Sequence, residues 1–110
     1  MITILKISQS VPLLTEAFVS FTPTEQKTTR VISFVAEAVF ANNRNVRLIW
    51  KYGDPDEEIL WTTSGQSKMP FDFDIPIEEI NGARRLAIVL DNAGPSASYM
   101  SGFAEVKIYD

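Results

Sequence analysis

The sequence predicts an all-β protein, an antiparallel β-sandwich of about eight strands, and three observations support this. Apolar residues recur at every second position in several stretches, which is the period of a strand with one buried face. Turn-forming Asn, Gly, Pro and Ser residues separate these stretches at short intervals. The chain has 110 residues, of which 45% are hydrophobic and 22% charged, enough for one core and not two. A single domain covering residues 1–110 is therefore expected.

The clearest predicted strand is Pro70–Ile77, in which four apolar residues alternate with two prolines and two aspartates. A helix would spread these acids and aromatic rings around its circumference, so the alternation indicates a strand. Because proline cannot donate a backbone hydrogen bond, the two prolines are expected on an edge strand or at the ends of a strand. The same reasoning predicts strands at Ile2–Ser8, Ala17–Phe21, Thr28–Ala41, Val46–Tyr52, Glu58–Thr63, Arg85–Asp91 and Phe103–Tyr109. The alanines of Thr28–Ala41 leave a helix open there as an alternative.

Turn residues predict where the strands connect, since Asn and Gly tolerate left-handed backbone angles and Pro restricts them. The expected turns are Asn42–Asn45, Gly53–Asp56, Ser64–Ser67, Asn81–Gly82 and Asn92–Ser96. Ile77–Ile80 is expected to form a single helical turn. The small residues of Ala97–Gly102 place that segment, with Tyr99, in the last loop. Eight short strands with such turns between them favour a sandwich or a jelly roll.

The chain has no histidine and no cysteine. This removes the usual general base near neutral pH, the thiolate nucleophile and the usual transition-metal ligands. It also has no glycine-rich phosphate loop. Asp72 and Asp74, followed by Glu78 and Glu79, leave a carboxylate-based glycosidase open. A solvated, acid-protected edge strand is the favoured explanation of these acids, so no enzyme is expected.

Asp54-Pro-Asp-Glu-Glu58 offers oxygen ligands of the kind that Ca²⁺ prefers. The segment matches only the start of a calcium-binding loop and lacks its later glycine and glutamate. An acidic hairpin tip is the favoured interpretation. The sequence therefore predicts no metal and no cofactor.

Charge and hydropathy argue against nucleic-acid and membrane partners. The net charge is −4, and among the scattered basic residues only Arg84 and Arg85 are adjacent. No apolar run approaches the ~20 residues of a membrane span. The first residues lack the basic region, apolar core and cleavage site of a signal peptide. A location in the cytoplasm or in a virion is expected.

The closing segment Arg85–Asp110 carries a family resemblance. It reads Leu86-Ala-Ile-Val-Leu-Asp-Asn92, a Gly/Pro/Ser loop, and then Gly102-Phe-Ala-Glu-Val-Lys-Ile-Tyr-Asp110. This resembles the end of many jelly-roll modules, including carbohydrate-binding modules and lectin-like sandwiches. The resemblance covers about a quarter of the chain, implies the jelly-roll fold, and assigns no binding residue. In size, acidity and lack of catalytic residues the chain is also similar to phage virion proteins, namely capsid decoration or cement proteins and fibre-tip modules.

Several predicted strands carry apolar residues on their second face, beyond what one sandwich core needs. These residues are Val31, Val35, Val39, Ile49, Leu60 and Val89. Surplus apolar surface is usually covered by a partner or by symmetric self-association. The sequence thus predicts a structural or interaction protein, most concretely a virion decoration or cement protein. It is expected to form a homo-oligomer such as a trimer and to bind a capsid or fibre protein.

The alternative function is carbohydrate binding, in which exposed aromatic rings stack on sugar faces. Trp61, Tyr99 and Asn92 are its candidate ligand-binding residues. Trp50 is not among them, because it lies in period with Val46 and Leu48 and is expected in the core.

Overall fold

A computed structural model describes residues 2–22, 28–38, 43–63, 66–75 and 84–109 of the chain. These residues form eight strands, which pair only in the antiparallel sense within the described ranges. The strands are β1 (Ile2–Val11), β2 (Thr15–Phe21), β3 (Thr28–Ala38), β4 (Arg44–Trp50), β5 (Glu58–Thr63), β6 (Gln66–Ile75), β7 (Leu86–Asn92) and β8 (Ser98–Tyr109). The predicted all-β sandwich is confirmed.

The strands form two sheets of four. The first sheet has the order β1-β8-β3-β6 and the second has the order β2-β7-β4-β5. The chain crosses from one sheet to the other at every connection except the hairpin between β4 and β5. This interleaving of two four-stranded antiparallel sheets is the jelly-roll arrangement. β6 lies at a sheet edge, one of the two positions expected from its prolines.

Alternate side chains of both sheets meet in one main cluster. Its fully or almost fully buried members are Leu5, Val11, Val46, Leu48, Trp50, Leu86, Ile88, Leu90, Met100, Ala104 and Val106. Each large member contributes about 1.5–3 kcal/mol by leaving water. Trp50 is completely buried, as its period with Val46 and Leu48 predicts.

The predicted strand Val46–Tyr52 would place Tyr52 on the same face as Trp50, and this is wrong. β4 ends at Trp50, and Lys51 follows with a left-handed φ of 63°. This backbone reversal turns the chain, and Tyr52 packs instead against a second, smaller cluster formed by Ile49, Ala87 and Val89.

The prediction of a loop at Ala97–Gly102 is also wrong, because β8 already begins at Ser98. Tyr99 pairs with Ser10 of β1, and Met100, which is completely buried, pairs with Gln9. The small residues have a packing reason. A Cβ on Gly102 would lie 2.5 Å from Cγ2 of Ile88, so the facing sheet leaves room only for glycine.

Two predicted turns are wrong in part, because β4 already begins at Arg44 and β6 at Gln66. The second halves of Asn42–Asn45 and Ser64–Ser67 therefore belong to strands.

The remaining expectations differ in length, hold, or lie outside the described residues. β5 has the predicted bounds, β1 and β2 are longer than predicted, and Thr28–Ala38 is a strand and not a helix. The helical turn at Ile77–Ile80 and the turn at Asn81–Gly82 lie outside the described residues, as do Glu78 and Glu79. The described residues contain no helix that is long and apolar enough to cross a membrane.

We predict that Gly102→Ala destabilises the protein by about 1–3 kcal/mol, because the added methyl group overpacks the interior against Ile88. Urea unfolding followed by tryptophan fluorescence measures the change. Ser101→Ala, at the neighbouring position on the opposite face of β8, serves as the control and should change stability by less than about 0.5 kcal/mol. Equal effects of the two substitutions would show that Gly102 is not closely packed.

Candidate functional site: the outer face of the second sheet

The structure separates the three residues predicted for carbohydrate binding. Asn92 is completely buried. Trp61, on β5 of the second sheet, is half-buried and packs against the main cluster. Tyr99 is 53% exposed but lies on β8 of the first sheet, where its hydroxyl and that of Ser8 form a hydrogen bond. These residues do not converge on one surface.

The residues predicted at an interface also have different surroundings. Ile49 and Val89 are buried within the chain itself and offer no free surface. Leu60 is half-buried against the main cluster, and Val35 is half-buried on the first sheet. For Val31 the structure describes only the backbone, and Val39 lies outside the described residues.

Ile49 and Val89 nevertheless lie directly beneath the outer surface of the second sheet. With Ala87 they point away from the main cluster and form the floor of a second apolar cluster. In register, Ala87 lies opposite Ile49 on β4, and Val89 lies opposite Phe18 on β2. The floor therefore spans the two central strands of the second sheet on its outer face.

Tyr52 and Phe18 lie beside this floor as an aromatic pair. Their ring centroids are 5.0 Å apart and the rings are tilted by 46°. The guanidinium carbon of Arg85 lies 5.2 Å from the Tyr52 ring centroid, a cation–π contact. Two hydrogen bonds hold the backbone of Tyr52 beside Arg85. The Tyr52 N–H donates to the Arg85 carbonyl at 3.0 Å, and the Arg85 side chain donates from Nη2 to the Tyr52 carbonyl at 3.2 Å. Tyr52 is held in place, whereas Phe18 remains 49% exposed.

A bulge in β5 adds a second exposed apolar side chain. Leu48 pairs with Trp61, but the next residue, Ile49, pairs with Ile59, so Leu60 is the extra residue. Leu60 and Trp61 can then both pack against the main cluster. Ile59 faces outward beside Ile49 and is 54% exposed. We call the surface formed by Phe18, Ile49, Tyr52, Ile59, Ala87 and Val89 the outer patch.

Charged side chains border the outer patch and are paired with one another. Arg47 Nη2 lies 3.0 Å from Glu16 Oε2 and 3.5 Å from Asp91 Oδ2. Asn45 Nδ2 lies 3.5 Å from the same Asp91 oxygen. Burial raises the pKa of the Tyr52 hydroxyl, and the negative charges of Glu16 and Glu57 add to that rise. The hydroxyl is therefore neutral at physiological pH and remains a hydrogen-bond donor.

Sequence reasoning missed Phe18 and placed Tyr52 on the face of Trp50, although two signals of this surface were present. Phe18 alternates with Ala17 and Val19 and so shares its face with Glu16, an unusual place for a large aromatic ring. The run Leu86–Leu90 is apolar at every position, which is typical of a strand buried on both faces. An apolar second face on a central strand requires some covering side chains.

A buried polar network explains why Asn92 is not a ligand-binding residue. Arg44 Nε donates to Asn92 Oδ1 at 3.0 Å, and the Gly94 N–H donates to the same oxygen at 3.0 Å. Asn92 Nδ2 donates to the carbonyls of Val11 and Ser96, each at 2.9 Å. The Asn92 amide thus ties together the end of β1, the start of β4 and the loop after β7.

We predict that Asn92→Ala costs about 2–4 kcal/mol of stability, because it removes the acceptor of the Gly94 N–H and of Arg44 Nε and the donor to the Val11 and Ser96 carbonyls. Asn45→Ala is a control of the same residue type. Its amide makes one long contact and its Oδ1 is buried without a partner in the described structure, so the cost should stay below about 1 kcal/mol. Chemical denaturation measures both. A cost for Asn92→Ala no larger than the control's would contradict the role of the network.

The acidic segment considered for Ca²⁺ is occupied by basic side chains. Arg84 Nη1 lies 2.9 Å from Asp54 Oδ2 and 2.7 Å from Asp56 Oδ1, and Lys51 Nζ lies 3.5 Å from Asp56 Oδ2. Glu57 Oε2 accepts a hydrogen bond from the Gly53 N–H at 2.9 Å. Within the described ranges no group of three acidic side chains is arranged to hold a metal ion. The segment is an ion-paired turn.

We predict that Asp56 titrates below its ordinary range, because its hydrogen bond with Arg84 lowers the pKa of the carboxyl. The ion pair is then present at neutral pH and is lost only as the pH falls through this lowered pKa. Arg84→Gln should raise the Asp56 pKa towards its ordinary value, as followed by NMR titration of the carboxyl carbon. Arg47→Gln, which removes a guanidinium contacting other carboxylates, should leave it unchanged. An unchanged Asp56 pKa in Arg84→Gln would contradict the assignment.

Comparison with known proteins assigns no family to this geometry. No protein-family model matches the chain, and no curated protein matches its sequence. Function must therefore be inferred from the jelly-roll arrangement and from the surfaces that it presents, above all the outer patch.

Proposed function

We propose that the chain is a non-enzymatic structural protein that docks on other protein subunits and acts as a homo-oligomer. Its most concrete form is a decoration or cement protein on a virion capsid. The observation that carries the proposal is the outer patch, where large apolar side chains stand half-exposed over a floor of buried apolar residues. Contiguous apolar surface with a polar border is typical of protein–protein contact sites.

The anatomy of the outer patch supports docking on protein. Its centre is apolar and contains an aromatic pair, and its charged residues lie at the border. Interface cores are enriched in aromatic residues and depleted of charge, with polar groups at the rim. The floor and Tyr52 are fixed before any partner arrives, which limits the entropy lost on binding.

Carbohydrate binding remains the second candidate, favoured by one specific observation. Phe18 and Tyr52 place two rings side by side on one face, with Glu16, Arg47 and Asp91 nearby as hydrogen-bonding groups. Sugar recognition combines such stacking with polar contacts. Here, however, the charged groups already pair with one another, so a sugar would have to exchange those contacts for its own.

The test is co-sedimentation of the purified chain with capsids of a virus whose genome contains this sequence, over a range of chain concentrations. We expect saturable binding with a fixed number of copies per capsid, and about tenfold or greater weakening by Phe18→Ser. Ile4→Ser, which removes a similarly exposed apolar side chain from the first sheet, is the matched control and should bind normally. Absence of saturable binding would count against the capsid proposal.

Glycan titration separates the two candidate functions. The chain is titrated with a panel of oligosaccharides while the NMR signals of Phe18 and Tyr52 are followed. Protein docking predicts no saturable shift of these signals. Saturable shifts that are lost in Phe18→Ser would favour the carbohydrate-binding function instead.

A further inference from the structure

We propose that the partner that covers the outer patch is a second copy of this chain, docked face to face about a twofold axis. The two copies then bind a capsid as one unit, and Phe18→Ser weakens capsid binding because it separates them. This inference rests on the proposed function as an interaction protein, and it names the surface, the partner and the symmetry. Self-association was expected from the sequence, but the residues expected to mediate it differ from those that are exposed here. Phe18 and Ile59 provide the exposed apolar surface, whereas Ile49 and Val89 only support it.

The dimensions of the chain favour a broad face over an end. The principal extents are 44 × 28 × 17 Å. A sheet face therefore has an elliptical outline of about 970 Å², close to the ~800 Å² per partner that a stable interface buries. An end of the molecule measures about 370 Å², well below the ~800 Å² per partner of stable interfaces. Face-to-face packing of two copies thus reaches the required area, and end-to-end packing does not.

The exposed turn between β1 and β2 is too small to be the contact between two copies. Leu13 and Leu14 are both exposed there, and Leu14 has a left-handed φ of 56°. The turn lies at an end of the molecule, where the available area is too small for a stable pair of copies. The two leucines are exposed, but the area around them is too small to form an interface of ordinary size.

The first sheet offers a broad face as well, but the outward side chains that the structure describes on β1 and β8 are a mixture of apolar and polar residues. Its outward side chains on β1 include exposed Ile4 together with Lys6, Ser8 and Ser10. On β8, Ser101 separates Tyr99 from Phe103 on the same face. On the second sheet, by contrast, the apolar residues of β2, β7, β4 and β5 adjoin one another across all four strands.

The charges on the outer face suit a twofold contact. Glu16 and Asp91 lie opposite each other in register at one end of the face. Arg85 lies at the other end of β7, six residues from Asp91, or roughly 20 Å along the strand. Arg47 pairs with both acids, which leaves one negative charge in excess at that end. A twofold axis that runs the two copies in opposite directions brings this end of each copy near the Arg85 end of the other. Such a contact uses the same patch on both copies, which is the condition for a closed dimer.

The experiment is light scattering on a sizing column with the full chain, from micromolar to millimolar concentration. We expect a mass of twice the 12.3 kDa monomer at the upper concentrations. Phe18→Ser and Ile59→Ser should each raise the dimer dissociation constant about tenfold or more. Ile4→Ser is the matched control and should leave the constant unchanged. Circular dichroism checks that each variant is folded.

A dilution series of the unaltered chain by NMR gives a readout that needs no variant. The signals that move on dilution should belong to outward-facing residues of β2, β4, β5 and β7 and not to those of β1 and β8. Three results would overturn the inference: a monomer at all concentrations, a trimer, or a dimer unaffected by both patch variants. If a monomeric chain still binds capsids saturably, docking on capsid protein stands, whereas this inference and the homo-oligomer of the proposed function both fail.

Discussion

The second sheet depends on one strand that is buried on both faces. The inward side chains of β7 join the main cluster, and its outward side chains Ala87 and Val89 are equally shielded from water. A strand at the centre of a two-layer sandwich normally buries only the face that meets the other sheet. Among the described residues, Tyr52 packs against this outer face and shields part of it from water.

The position of Tyr52 follows from a single backbone reversal. With an ordinary extended conformation at Lys51, the strand period would carry Tyr52 to the inner side with Trp50. The left-handed φ of Lys51 ends β4 and brings the ring over the outer face, where Phe18 and Arg85 contact it. A non-glycine residue in this conformation is uncommon and carries strain that the surrounding contacts must offset. The outer patch therefore depends on a local conformation that alternation of side chains cannot reveal.

The contrast between local alternation of side chains and contacts between distant segments explains how much of the fold was predictable. Alternation located all eight strands, since it reports directly which positions are shielded from water, and it placed Trp50 in the core. It failed at Ala97–Gly102, because small residues resemble a loop until the opposing Ile88 is known. It failed at Asn92, whose partners come from segments as distant as Val11 and Arg44. Strand order and the outer patch likewise arise from contacts between distant segments, which a local pattern does not contain.

Because β2 is an edge strand, two copies could in principle join edge to edge or face to face, and only one of these arrangements buries the exposed apolar side chains of the second sheet. An edge strand exposes unpaired backbone groups and invites edge-to-edge pairing with another chain. β2 carries the exposed charged side chain of Glu16, which discourages such pairing. Two copies joined edge to edge would also leave Phe18 and Ile59 in water. Packing across the face removes both side chains from water and keeps the Glu16–Arg47 ion pair at the rim, where ion pairs cost little to retain.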